Sequence, residues 1–440
     1  MQRVSWIFMS CLVSGILTWS CAQKGTGNGN VVETAVQTLE LPAPYETKSV
    51  YNFSTVVGWK DGAKPVAPQG FTVTKYADSL QSARWIYVLP NGDVLVAQAN
   101  THRKGVVKVA GAFVGLHKSG NSGESPNQIT LFRDTDGDGL PDIRSVFMKD
   151  LNLPLGMLLI GNEFYVAVTD GIYVFPYKTG DLSIAATGRK ILDLPAGGYN
   201  NHWTRNLVIR PDSTKLYVSV GSASNIGEHG MQEEVRRANI LEINLDGTGE
   251  RVFASGLRNP VGMAWEPITQ TLWTVVNERD KLGDELVPDY ATSVKDGGFY
   301  GWPYSYFGQH LDPRFTEKEQ RMDLVKKAIV PDVALGSHTA SLGLAFYTHD
   351  RFPERYRGGA FIGQRGSWNR SELGGYKVAF IPFKDGKPAG PPEDFLTGFI
   401  HNLEKGEVYG RPVGIAFLPD GSMLVAEDAA NTVWRVTYGK

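Results

Sequence analysis

The chain has 440 residues, a formal net charge of −2 and only two cysteines, both within the first 21 positions. That charge offers no basic surplus to offset nucleic-acid phosphates, and a body without thiols can form neither disulfides nor a covalent haem linkage. With 42% hydrophobic residues the core can be large, and 50 Gly and 24 Pro make a turn-rich chain that favours many short strands over helices.

Arg3 precedes an apolar stretch, Val4 to Leu17, which reads as a secretory signal. It is shorter than the ~20 residues a membrane span requires. Leu17-Thr-Trp-Ser-Cys21 resembles a bacterial lipoprotein cleavage box, so residues 1–21 are expected to direct export to the periplasm or cell envelope with a lipid anchor at Cys21. Plain secretion and a retained anchor are the alternatives. Residues 22–69 read as a Gly/Asn-rich tether and an N-terminal extension, and residues 70–440 as one domain.

Within that domain one phrase recurs. An apolar strand enters a Pro-Asp-Gly-like turn, and a second apolar strand leads to a polar loop. Six copies have turns near Asn91-Gly92, Gly161-Asn162, Pro211-Asp212, Glu266-Pro267, His349-Asp350 and Pro419-Asp420. Strands rich in aromatic and β-branched residues flank them, as in Trp85-Ile-Tyr-Val-Leu, Leu216-Tyr-Val-Ser-Val and Thr271-Leu-Trp-Thr-Val-Val. Turns 50 to 83 residues apart leave room for two further strands per copy. The fold expected is therefore all-β, a six-bladed β-propeller of four-stranded antiparallel blades. A right-handed β-solenoid has much shorter repeats. Phe71–Tyr76 is expected to pair with the C-terminal sheet and close the ring.

Because each turn joins two antiparallel strands, residues before the first strand and after the second share one end of the hairpin. Before the first strand stand Arg84, Pro154, His202 with Arg205, Arg258 with Asn259, His338 and Arg411. After the second come Gln98 and His102, Asp170, Asn225, Asn277-Glu-Arg-Asp280, Gln364-Arg365 and Glu427-Asp428. One rim thus gathers arginines, histidines and a few carboxylates, which points to a polyanionic ligand and acid–base chemistry.

Four segments of the chain carry chemistry. His202 is a candidate general base, or else a histidine bonded to a loop carbonyl. The acidic loop from Asn277 to Glu285 suits Ca²⁺ through side-chain and backbone oxygens, or is a solvated turn. Asp134-Thr-Asp136-Gly-Asp138, continuing to Asp142, matches the front half of a calcium loop, but Ser145 stands where the bidentate Glu would be. An Asp/Gly hairpin without metal is the alternative there. Arg365 can pair with a ligand carboxylate, while Trp368 and Arg370 can simply stack to hold the loop. The chain has no Gly-rich dinucleotide fingerprint, no phosphate-binding Gly-Lys-Ser/Thr loop and no nucleophile elbow.

Several ordered motifs between about Phe71 and Tyr438 resemble the glucose/sorbosone dehydrogenase family of soluble six-bladed propellers, with the sorbosone-dehydrogenase-like branch the better match. They are Asn201-His-Trp-Thr-Arg205, Ser219-Val-Gly-Ser-Ala-Ser-Asn225, Gly256-Leu-Arg-Asn-Pro260, Asn277-Glu-Arg-Asp with Gly283-Asp-Glu, Gly298-Phe-Tyr-Gly-Trp-Pro303, Gly366-Ser-Trp-Asn-Arg370 and Gly410-Arg-Pro-Val-Gly414. The resemblance implies pyrroloquinoline quinone and Ca²⁺ as cofactors, a small sugar as substrate and a separate electron acceptor whose identity the sequence does not give. It implies His202 as the base at the sugar's anomeric hydroxyl. It implies Arg411, Asp428 and Asn225 at the quinone, with Arg84 and Arg365 placed there by their position in the repeat. Ca²⁺ is implied at the loop matching Glu278 and Arg279, and would polarise the quinone. Two differences bear on substrate choice: Ser224 stands where the glucose branch has Arg, and Arg365 where the sorbosone-like branch often has His. The rival readings are a calcium-dependent sugar lactonase and a non-catalytic carbohydrate-binding propeller.

Overall fold

The computed structural model describes residues 30–101, 119 and 124–439. The signal with Cys21, the first part of the tether and His102 lie outside the described residues. Among the described residues helix is confined to Met322–Val325 and a 3-10 turn at Glu354–Tyr356. Strands dominate, and six antiparallel sheets of four strands or more follow one another along the chain.

Each of the six expected turns joins the first two strands of one sheet. Ala83–Val88 pairs with Val94–Gln98, and Met157–Ile160 with Glu163–Val168. Arg205–Ile209 pairs with Lys215–Val220, and Pro260–Trp265 with Leu272–Val276. Ser341–Phe346 pairs with Ala360–Gln364, and Pro412–Phe417 with Met423–Glu427. Two more strands complete each sheet, and Gly298–Phe299 adds a parallel fifth strand to the third. In the sixth sheet the last strand comes from the other end of the chain. Phe71–Ala77 pairs antiparallel with Thr432–Tyr438, with Tyr438 opposite Phe71, so the expected closing strand is present.

Alternation along the strands explains how the sheets stack. Val94 and Val96 enter a cluster shared with the sixth sheet, while Leu95 and Ala97 enter one shared with the second. Likewise Phe164 and Val166 face the first sheet, and Tyr165 and Ala167 the third. Further apolar clusters join the third sheet to the fourth, the fourth to the fifth and the fifth to the sixth. A side-chain period of two thus gives every sheet two apolar faces, and the architecture is that of a β-propeller.

The start of the first strand sets how closely the sheets approach the centre. Leu155, Val261, Leu342 and Val413 form one small buried cluster, each immediately before a glycine. A Cβ on Gly343 would lie 2.0 Å from the Val413 carbonyl oxygen, and one on Gly414 would lie 2.7 Å from the Arg84 carbonyl. Gly156 and Gly262 back onto Leu207 and Leu344 in the same way. The third sheet has Asn206 at this place, and its side-chain amide donates to the Val261 carbonyl at 2.9 Å. One residue points to the axis, and the next lets two backbones touch.

Gly343→Ala is expected to cost about 2–3 kcal/mol, because neither neighbouring backbone can retreat. Urea denaturation checks this, and an unchanged midpoint would refute the close-approach account.

Candidate functional site

At the end of the hairpins opposite the turns lies a cavity of about 380 Å³ whose lining includes Arg84, His202, Asn225, Arg258, Asp280, Arg365 and Arg411. It draws on every sheet except the second. The inner strands converge there because of the axial contacts described above.

His202 sits just before the third sheet's first strand and is 9% exposed. Its Nδ1 lies 2.8 Å from the Ser222 carbonyl and 3.0 Å from Ser222 Oγ. A carbonyl can only accept, so Nδ1 carries the proton and Nε2 keeps a lone pair, with Asn201 Nδ2 3.4 Å away. Burial first, and then the Arg258 charge, hold this imidazole well below its ordinary value, so it is neutral at pH 7. The carbonyl-bonded histidine left open as an alternative is the arrangement found, and that same bond fixes which nitrogen is free to accept.

Across the cavity, Asp428 is enclosed by arginines. Its Oδ2 accepts from Arg365 Nε at 2.7 Å and meets Arg84 Nε at 2.9 Å, the latter too bent for a hydrogen bond. Arg411 lies against both, donating to the carbonyls of Arg365 and Gly366 at 3.0 and 2.9 Å. Arg84 also lies 5.3 Å over the Trp203 ring. All four charged residues are at most 8% exposed. Burial works against the Asp428 carboxylate, yet Arg365, Arg84 and Arg411 together hold it below its ordinary value. Burial, followed by mutual repulsion, pulls Arg84 and Arg411 down to about 10, still protonated at pH 7. Three guanidiniums face one carboxylate, and Asp428 Oδ1 is buried without a hydrogen-bond partner. The donor set fits a multiply charged anion such as the tricarboxylate quinone.

The acidic loop is arranged differently from the sequence expectation. Arg258 donates through Nη1 to the carbonyls of Asn277 and Glu278 at 2.9 and 2.6 Å. Its Nη2 reaches Asn225 Oδ1 at 2.8 Å and Asp280 Oδ2 at 3.3 Å. A guanidinium therefore serves as the cation toward the Glu278 carbonyl. The Glu278 carboxyl is buried and lifted to about 7, chiefly by desolvation. Arg279 forms a buried ion pair with Asp312 at 2.6 Å. Neither side chain lines the cavity; Asp280 does. Burial opposes the Asp280 charge, but the His338 hydrogen bond and Arg258 outweigh it and keep the carboxylate ionised. Asn225 accepts from the Asp280 amide at 2.9 Å and is clamped by Trp302, whose indole donates to its carbonyl at 3.0 Å.

The Asp134–Asp142 loop lies apart from this cavity, beside the turns at Asn91-Gly92 and Pro419-Asp420. Carboxylate oxygens of Asp134, Asp136 and Asp138 come within 4.8 Å of one another. They also accept from their own loop, as Asp134 does from the Gly137 and Gly139 amides. Asp142 stands outside the trio and accepts from Thr135. Of the census, Asp170 turns to Lys190, and Arg205 is spent on the carbonyls of Pro195, His202 and Thr204.

Comparison with known proteins places the chain. A family model described as TrAA12-like matches residues 65–291 and 308–439. The chain belongs to the TrAA12-like family. The family resemblance read from the sequence is borne out. An uncharacterized protein of Borreliella burgdorferi is 31% identical over 304 residues, covering 66% of this chain and 77% of that one. Three further curated relatives align over about half their own length or less. Among solved structures, the holo pyranose dehydrogenase PQQ domain of Coprinopsis cinerea has a TM-score of 0.67 at 20% identity, covering 88% of this chain and all of that one. The calcium structure of a Trichoderma reesei family AA12 enzyme has a TM-score of 0.69 at 17% identity, covering 86% and 100%.

The sequence reading missed two contributors. Tyr51 and Phe53 line the cavity from the N-terminal extension, whose residues carry no repeat to place them. Asp280 was in the census but stands next to two more charged residues, and only the backbone path decides which of the three faces inward.

Beneath Arg411, buried Glu427 accepts from the Arg411 and Ala430 amides and the Trp59 indole. Desolvation lifts it from 4.5 to about 7. The folded chain therefore holds a proton that the unfolded chain has lost, and this contribution fades as pH rises from 4.5 through 7. Glu427→Gln is expected to gain about 2–3 kcal/mol relative to the parent across that window. Unfolding midpoints from pH 4.5 to 7.5 test it, and a pH-independent difference would overturn it.

Proposed function

We propose that the chain is a pyrroloquinoline-quinone-dependent dehydrogenase that oxidises a sugar at C1, built on a propeller of six blades. The observation that carries this reading is a buried, neutral histidine sharing one cavity with Arg84 and Arg365, both paired with Asp428, and with Arg411. The names of the Coprinopsis and Trichoderma proteins support it.

In this reading Arg84, Arg365 and Arg411 hold the cofactor's carboxylates, and Asp428 keeps the three guanidiniums together when it is away. Bound quinone supplies a two-electron acceptor for the hydride from C1. His202 accepts the C1 hydroxyl proton at Nε2, and the Ser222 carbonyl steadies the resulting imidazolium through Nδ1–H. Arg258 opposes a charge on the ring and favours prompt return of that proton. Calcium is proposed beside Asp280, the ionised carboxylate of the cavity, rather than at the Glu278 carbonyl that Arg258 already engages. A second calcium, in the Asp134–Asp142 loop, would be structural. Export with a lipid anchor at Cys21 rests on the sequence alone.

Reconstitution with quinone and Ca²⁺ should give sugar-dependent dye reduction, lowered at least a hundredfold in His202→Ala with quinone affinity little changed. Failure to bind quinone at micromolar concentration would sink the reading. Chelation of calcium is expected to weaken quinone binding in the parent and to have no further effect in Asp280→Asn, and equal losses in both would exclude Asp280 as the calcium partner.

A further inference from the structure

Residues 30–64 precede the part of the chain matched by the family model, yet they complete the cavity. Asn52 donates its amide to the Trp368 carbonyl at 2.8 Å, and Asn369 Nδ2 donates to the Val50 carbonyl at 2.6 Å. Ser49 Oγ accepts from the Gly283 amide at 3.1 Å. The extension is thus stitched to the loop that carries Asp280 and to the loop that follows Arg365.

These stitches set Tyr51 and Phe53 against Trp368. The ring centroids are 5.6 and 5.5 Å from that indole and 6.2 Å from each other, with planes within 23°. Three near-equal separations describe an offset sheet of rings rather than a pile. All three rings line the cavity. A second groove begins where the cavity ends, because Tyr51 and Lys281 line both. Along it stand Tyr45, Thr47, Lys48 and Ser49. Tyr45 and Tyr51 are each 60% exposed, and Tyr51 joins Phe53 and Trp368 in one contiguous aromatic patch of the kind that marks a binding site.

We infer that the extension builds a second sugar subsite, so that the substrate is a pyranose oligosaccharide whose reducing end reaches His202. The inference rests on the reading above. Aromatic faces suit the C–H face of a pyranose, and the hydroxyl and ammonium groups of Ser49, Lys48 and Lys281 suit its hydroxyl edge. Tyr51 stands at the junction, where the glycosidic bond would lie.

The quinone-loaded chain is assayed with glucose, cellobiose and maltose. At least one disaccharide should have a KM several-fold below that of glucose. Tyr51→Ala should reduce this preference about five- to tenfold, and Tyr51→Phe, which keeps the ring, should restore it. A parent with no disaccharide preference, or an Ala variant that keeps it, would overturn the inference. So would quinone affinity that falls in step with it. If the parent binds no quinone, the proposed function fails separately. The subsite is then tested by tryptophan emission of the quinone-free chain titrated with the same sugars. A response to disaccharide over glucose that is lost in Tyr51→Ala supports it, and equal or absent responses refute it.

Discussion

Backbone-to-backbone contact between the first strands of neighbouring sheets is the constraint from which the rest follows. With Gly343 and Gly414 pressed on the carbonyls of Val413 and Arg84, the inner strands cannot diverge. The loops at one end are then brought into a narrow space, where the polar residues they carry meet one another. In four of the six sheets an apolar residue followed by glycine marks this point, and the loops that carry the charge begin beside it.

The cavity handles that charge in two ways. Around Arg258 the balance is internal: Asn225, Asp280 and three backbone carbonyls absorb one guanidinium. Around Asp428 the arrangement differs: Arg84 and Arg365 pair with one carboxylate, while Arg411 beside them donates to the backbone carbonyls of Ser119, Arg365 and Gly366. Burying these charges carries a desolvation cost, which the anion of the proposed function would offset. The first cluster forms a wall of the cavity, and the second is the anion receptor of the proposed function. His202 lies beside the wall, where burial first and then the Arg258 charge keep it unprotonated.

Much of this was legible in the sequence because turns and alternation are local. Pro419-Asp420-Gly421 specifies a hairpin wherever it occurs, and the alternation in Val94–Ala97 specifies two buried faces. Antiparallel geometry then sorted His202, Arg365, Arg411 and Asp428 onto one rim without knowledge of the sheets' packing. Side-chain direction inside an irregular loop is not local. Within Asn277-Glu-Arg-Asp280 the inward residue is decided by Arg258, which captures the Asn277 and Glu278 carbonyls and turns the chain so that Asp280 faces the cavity. The extension was opaque for another reason. Tyr51 and Phe53 belong to no repeat, and their position depends on hydrogen bonds to loops more than 200 residues away in sequence.

The sixth sheet joins Phe71–Ala77 to Thr432–Tyr438, and its meaning is temporal as well as spatial. Phe71–Ala77 has no partner until Thr432–Tyr438 has been made, so the loop to be closed is almost as long as the domain. Topologies dominated by such distant pairings fold slowly. Until Pro412–Phe417 is made, the Arg84 carbonyl has no Gly414 to press against it, and the loops have no common rim. Assembly of the cavity is thus postponed to the final step of folding, and a chain stopped short at its C-terminus would lose the site along with the last blade.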